Sequence, residues 1–316
     1  MGFQNVARMW QAAIDENCVE RAGYRPSSLG LGCASAWGQA WYEERRAIAL
    51  VERALELGIT VFDTGPTYSG GNAEPRLGKA LRGKDTSRLL VSTKIGTHSS
   101  SQGHLYKDWS KDAVLRSIDA SRSRLGLDCI PLIYLHGPKV GDLTAGLFDT
   151  LEEVRSKGMV RLFGVNSFDD DVLPRLATMP TFDVVMLDYN LLRIRREPVI
   201  EQLHRAGKFI VAGAALANHL HAPRFLLPKA RVDFWYLLRA LKNYRDDYRL
   251  ARRVPFLNDL SDWTPAQVAL AFIAMNKSVS VSMFSTTRIE HLEENVRSLS
   301  MALSSSLNDR IRQALQ

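Results

Sequence analysis

Short apolar runs alternate with longer amphipathic ones along most of this chain. Eight of the short runs read as strands: SLGLGCA, ITVFD, LLVSTK, PLIYLH, VRLFGV, FDVVML, KFIVAG and SVSVSMF. Most are rich in Val, Ile, Leu and Phe, the composition of a buried strand. Between them lie stretches with helical patterning: YEERRAIALVERALELG, AEPRLGKALR, KDAVLRSIDASRSRLG, LFDTLEEVRSKG, DVLPRLATM, EPVIEQLHRAG and TPAQVALAFIAMN. In the first, Ile48, Leu50, Val51, Leu55 and Leu57 recur at helical spacing. Gly58, Gly126, Gly158 and Gly207 stand where helices end on a left-handed residue. Ser110 and Ser261 stand where an N-cap is expected. Two segments break the rhythm. One is the polar loop Thr97–Trp109. The other, roughly 217–260, is expected to form a loop and an extra helix, as a lid or a pocket wall.

Eight βα alternations predict a parallel sheet, and the length favours closure into a (β/α)8 TIM barrel with a long insertion between strands 7 and 8. The near-continuous apolar strands agree, because parallel strands are covered on both faces. No low-complexity linker divides the chain, so 1–316 is expected to be one domain. Within it, 1–25 is an N-terminal extension and 217–260 lines or covers the pocket. In such a barrel chemistry gathers at the C-terminal ends of the strands. The second strand ends on Asp63, the third on Lys94 and the fourth on His136; Tyr68 hangs in the loop after the second.

Each of these residues alone has an ordinary reading. Asp63 suits an Asx-turn, Lys94 a snorkelling surface lysine, and His136 a satisfied loop histidine. Together on consecutive strands, whose ends lie about 5 Å apart, they can converge. A buried Lys–Asp pair satisfies both charges. An ammonium beside a phenol stabilises the phenolate, so Tyr68 is expected to have a lowered pKa and to donate a proton. His136 would polarise a carbonyl oxygen. The pattern points to carbonyl chemistry.

Composition narrows this little. The 316 residues are 46% hydrophobic and 24% charged, an ordinary globular balance. A net charge of +7 suits anionic ligands, but there is no basic arm or nucleic-acid motif. The three cysteines, Cys18, Cys33 and Cys129, form no CxxC, and a reduced, cytoplasmic protein is expected. No signal peptide and no membrane-spanning run is read. His219 and His221 lack an evident third ligand, so no metal is expected.

The chain resembles the aldo-keto reductase family from about Leu29 to about Arg297. The resemblance rests on GITVFDTGPTYSGGNAEPRLGKAL, LLVSTKIG, LDCIPLIYLHGP, VRLFGVNSF, DYNLL and RIEHLEENV. The first is the most specific, with D-T-x-x-x-Y followed by AE-x-x-LG-x-AL. The resemblance implies a barrel that uses NAD(P)H without a Rossmann fold, and the glycines of LGLGCASAWG do not fit G-x-G-x-x-G in any case. It implies that Asp63, Tyr68, Lys94 and His136 form the catalytic tetrad. Ser285, Thr286, Thr287 and Arg288 would meet a 2′-phosphate, and Glu294 and Asn295 the adenine. Arg288 favours NADPH, with NADH possible; His291 stands where many members carry Arg or Gln.

Three positions depart from the family pattern around the nicotinamide. Asn166-Ser167 reverses the usual Ser-Asn, Met186 replaces a common Gln, and Gly213 falls where many members place a stacking aromatic residue. Leu216 belongs to the same cofactor-binding run. Trp37 and Trp109 are expected in the substrate pocket. The leading expectation is NADPH-dependent reduction of an aldehyde or ketone to an alcohol. The alternatives are an NAD(P)+-dependent sugar dehydrogenase and a cofactor-binding regulatory or partner-binding subunit without turnover. The expected partner is a small carbonyl compound or sugar, with no nucleic acid or membrane, and the oligomeric state is left open.

Overall fold

All eight apolar runs become strands of one closed parallel barrel. The computed structural model describes residues 17–217 and 244–316. The strands are β1 (Leu29–Gly32), β2 (Val61–Asp63), β3 (Leu90–Ile95), β4 (Ile130–His136), β5 (Val160–Asn166), β6 (Val184–Asp188), β7 (Phe209–Gly213) and β8 (Val281–Phe284). They follow one another around the ring in chain order, and β8 closes it by pairing with β1, Leu29 opposite Ser282. The principal helices are α1 (Glu44–Glu56), α2 (Ala73–Leu81), α3 (Lys111–Leu125), α4 (Ala145–Ser156), α5 (Glu197–Arg205), α6 (Arg245–Ala251), α7 (Pro265–Ala274), α8 (Ile289–Arg297) and α9 (Ser305–Leu315).

Strand alternation sorts the core into two shells. Val61, Leu90, Leu132, Tyr134, Leu162, Val184, Met186, Phe209, Val211, Val281 and Met283 form one buried cluster, the barrel interior. The residues between them, such as Phe62, Val91, Ile133, Phe163 and Val185, join the helices in the outer cluster. Gly164 leaves room for the Tyr134 ring, since a Cβ there would lie 2.7 Å from it. The N-terminal extension takes part from residue 17 onward. Asn17 caps a one-turn helix, Cys18–Arg21, by accepting from the amides of Val19 and Glu20. Val19 packs into the interior cluster, and the Cys18 thiol donates to the Asp183 carbonyl just before β6. These residues close the end of the barrel opposite the C-terminal ends of the strands.

The signature after Tyr68 proves partly structural. Glu74 is fully buried. It accepts from Thr93 Oγ1 (2.5 Å), Ser121 Oγ (2.8 Å) and Arg124 Nε (2.6 Å), tying α2 to β3 and α3. Buried charge needs such partners. Gly78 lets α2 and α3 touch, because a Cβ would overlap the Arg124 carbonyl.

Several local expectations change. DVLPRLATM forms only a 3-10 stretch, Leu173–Thr178, with Pro174 removing a backbone donor. Thr97–Trp109 contains an antiparallel hairpin, Thr97–Ser99 with Leu105–Lys107. Ser110 does cap α3, but α7 is capped by Thr264 rather than Ser261. Thr264 and Gln267 form a reciprocal capping box there, which Ser261 lies too early to make. The four helix-ending glycines all have positive φ. Most of the insertion, 218–243, lies outside the described residues, including His219 and His221. Its return contains α6, which Asp247 ties to Arg193 after β6 at 2.8 Å. Among the described residues no helix is long and apolar enough to cross a membrane, and no group of three His, Cys, Asp or Glu is placed to hold a metal.

Candidate active site

The alternation that fills the barrel also aims its polar residues. Asp63, Lys94 and His136 lie an even number of residues beyond Val61, Leu90 and Leu132, so they share the inward face at the C-terminal mouth. Lys94 is 1% exposed. Its ammonium donates to Asp63 Oδ1 and Oδ2 at 2.8 and 2.6 Å and to the Thr64 carbonyl at 2.8 Å. Ser92 donates to Asp63 Oδ1 at 2.7 Å. Tyr68 closes a turn whose amide returns to the Gly65 carbonyl at 3.1 Å, with Pro66 at the second position and Thr67 at φ −96°, ψ −2°. That is type I geometry. It lays the Tyr68 ring over this cluster, 4.7 Å from Lys94 Nζ to its centroid. The ring meets His136 edge-on, with centroids 5.8 Å apart. The four sequence-predicted tetrad residues are thus brought together.

Burial pushes the Tyr68 phenol up, and although Lys94 pulls it back, the net shift is upward. This reverses the expected lowering. The Lys94 charge is largely offset by Asp63 in contact with it, and Asp63 itself opposes the phenolate. Burial also pulls Lys94 down, but Asp63 and then Tyr68 outweigh it, so the lysine stays charged. His136 is lowered to about 3, first by burial and then by Lys94 and Lys107. It is a neutral imidazole at physiological pH.

That shift makes a stability prediction. In the unfolded chain a histidine protonates near pH 6.5, whereas folded His136 protonates only near pH 3. Between those values the unfolded chain binds the extra proton. The contribution is therefore fully present above about pH 6.5 and is lost as pH falls toward 3. It amounts to about 2 kcal/mol between pH 7 and pH 5. Denaturant unfolding of His136→Gln at both pH values is expected to show a correspondingly smaller loss than the unchanged protein. Equal losses would remove His136 as the source.

The run expected to hold the cofactor already makes several contacts within the chain. Ser285 donates to the Gly32 carbonyl at 2.8 Å, and Thr286 Oγ1 accepts from the Arg288 amide at 3.1 Å. The Thr287 carbonyl accepts from Tyr42 at 2.6 Å. Glu294 accepts from Thr264 at 2.5 Å, and Asn295 is 2% exposed. Arg288 is open to solvent with a long contact to Glu290 (3.4 Å), and His291 is exposed. At the other end, Asn166 lies beside His136 in register and Met186 beside Asn166. Ser167 Oγ is taken by the Asp169 amide at 3.2 Å. A Cβ on Gly213 would meet the Leu187 carbonyl and Met186 Cγ at 3.3 and 3.4 Å, so β7 ends on a flat surface without a ring. Ala214 and Ala217, flanking the buried Leu216, hold positive φ of 53° and 48°. Ser35 and Ser69 do so at the same rim, and Ser69 donates to the Ser35 carbonyl at 2.7 Å, buttressing the Tyr68 loop. Non-glycine residues adopt this conformation only where the surroundings enforce it.

The two pocket tryptophans separate. Trp37 is 1% exposed in the outer core and donates to the Ala47 carbonyl at 3.1 Å, so it offers no face to a substrate. Trp109 is half-buried against Gly96 at the base of the hairpin. A cavity of about 300 Å³ beside the Tyr68 loop is lined by Pro66, Thr67, Thr97, His98, Tyr106 and Arg116 among others. None of the tetrad lines it.

The family model for the aldo/keto reductase family matches residues 28–316. The chain belongs to the aldo/keto reductase family. It is therefore an oxidoreductase of a family that uses nicotinamide cofactors. Aldo/keto reductases of known structure share its fold. The holo form of one from Bacillus halodurans has a TM-score of 0.74 at 24% identity, covering 92% of this chain and 93% of that one. A glycerol dehydrogenase from Gluconobacter oxydans has a TM-score of 0.77 at 17% identity, covering 92% and 91%. By sequence, a D-threo-aldose 1-dehydrogenase from Pseudomonas sp is 33% identical over 196 residues, 54% of this chain and 59% of that protein. An uncharacterized oxidoreductase of Bacillus subtilis is 24% identical over 86% of both chains.

Two residues of this aldo/keto reductase site escaped the sequence reading. Ser92 carried a signal, since it precedes Lys94 by two and so shares its face. Lys107 carried none. It lies in the segment read as loop, yet the hairpin brings its ammonium to the His136 carbonyl and to Thr97 Oγ1.

Proposed function

We propose that the protein reduces an aldehyde or ketone to an alcohol with NADPH, with Tyr68 as the general acid. The observation that carries this reading is the closed Lys94–Asp63 pair beneath the Tyr68 ring, with His136 edge-on beside it. A reduced nicotinamide, when bound, supplies a hydride to the carbonyl carbon. Tyr68 gives its proton to the oxygen, and the neutral His136 donates a hydrogen bond to the same oxygen. Lys94 keeps its charge and stabilises the phenolate left behind.

The residues present fit such a cofactor at both ends. The Arg288 guanidinium, the Thr287 hydroxyl and the first amides of α8 suit a phosphate. The exposed Arg288–Glu290 contact is weak and exchangeable. The Asn166 amide suits a carboxamide. The reading is tested by loss of the near-ultraviolet absorbance of NADPH across a panel of aldehydes, ketones and keto sugars, with NADH in parallel. Cofactor that stays unreacted over the whole panel overturns it.

A sugar dehydrogenase running the other way is the second reading, favoured by the name of the 33% identical relative. It requires Tyr68 as a base. A phenol whose proton affinity is raised holds its proton at neutral pH, which supports reduction over oxidation. Rates in both directions across pH separate the two: on the first reading, oxidation gains on reduction only as pH rises.

A further inference from the structure

We propose that Lys107 is a specificity-determining residue that recruits carbonyl substrates bearing an anionic group, a carboxylate or a phosphate, a short chain away from the carbonyl. This rests on the reductase reading of the same site. Lys107 ends the exposed second strand of the hairpin, yet its side chain folds inward. The ammonium donates to Thr97 Oγ1 at 2.7 Å and to the backbone carbonyl of His136. The cation thus stands against the residue whose ring faces Tyr68. An ammonium has three donors, and these two contacts leave one.

Lys107 also differs in its charge balance from several cations at or just after the strand ends. Lys94 is paired with Asp63, Lys139 with Asp169, Arg193 with Asp188 and Asp247, and Arg196 with Asp188. Among the described residues no carboxylate is in ion-pair contact with Lys107; Asp142 acts on it only through space. Its other close neighbour is the Trp109 ring, 5.8 Å from Nζ. Trp109 adds a buried indole N–H that has no acceptor among the described residues. An exposed cation held against His136 with no ion-pair partner among the described residues, beside the Trp109 ring, is complementary to an anion.

Two matched pairs test the assignment: succinic semialdehyde against butyraldehyde for a carboxylate, and glyceraldehyde 3-phosphate against glyceraldehyde for a phosphate. In the unchanged protein kcat/KM is expected to favour the charged member of at least one pair, and the pair that responds names the anion. Lys107→Met is expected to reduce that preference about 10- to 100-fold, mainly through KM, and Lys107→Arg to retain it. Lys107→Gln, which keeps a donor for Thr97 and His136 without the charge, is expected to behave as Lys107→Met. Displacement of His136 would slow both members alike, so only the ratio reports the charge. Binding of the same compounds by ligand-observed NMR gives an independent readout. A binding preference lost in Lys107→Gln, without turnover, sustains Lys107 and overturns the reductase reading. Turnover with no charge preference overturns the Lys107 assignment and leaves the reductase reading intact.

Discussion

Replacing Tyr68 by Phe is expected to lower carbonyl reduction by about 10²- to 10⁴-fold, the usual worth of a positioned general acid. The thermal midpoint is expected to hold. The ring would still lie over Gly65 and against His136, and the turn that carries it depends on Gly65 and Pro66 rather than on the hydroxyl. The loss should fall on kcat, because the proton is transferred only as the carbonyl carbon is reduced. Steady-state kinetics with a melting curve checks both halves, and full turnover in this variant would remove the proposed role.

Lys94→Met is expected to cost about 3–5 kcal/mol of stability as well as activity, because it strands a buried carboxylate. Asp63 is 7% exposed and, among the described residues, would keep only Ser92 as a side-chain partner. The Thr64 carbonyl would lose its donor too. Replacing both charges, Asp63→Asn with Lys94→Met, is expected to recover much of the stability and none of the activity, since uncharged neighbours no longer need one another. Urea unfolding of the single and double variants measures this. An unchanged midpoint in Lys94→Met would contradict a desolvated pair.

The barrel was legible because its eight strands are short, apolar and punctuated by amphipathic helices, and parallel sheets leave that mark. The tetrad was legible for a related reason. Asp63, Lys94 and His136 all end strands, so strand alternation alone fixes their direction. What could not be read was the outcome of competing terms. Opposite-charge attraction argued for a lowered Tyr68 pKa, while burial, which depends on the packed structure, pushes it up. Trp37 follows β1 at the mouth in sequence but turns into the core, where Ala47 takes its N–H. Glu74 and Gly78, part of the stretch that carries the family resemblance, had no role readable from the sequence; they hold α2 on α3. Lys107 depends on a hairpin in a polar segment whose pattern gave no strand signal.

The plug formed by Cys18 and Val19 bears on how the molecule is made. Its thiol contact reaches across 165 residues to Asp183, and β1 completes the ring only against β8, near the other end of the chain. During synthesis both early segments must wait for later partners, Asp183 past the middle of the chain and β8 near its end. Closure of the ring is therefore a late event, and sealing of its floor comes only after the middle of the chain has emerged. Until they occur, the inward apolar faces of the early strands lie open to other nascent chains and to chaperones.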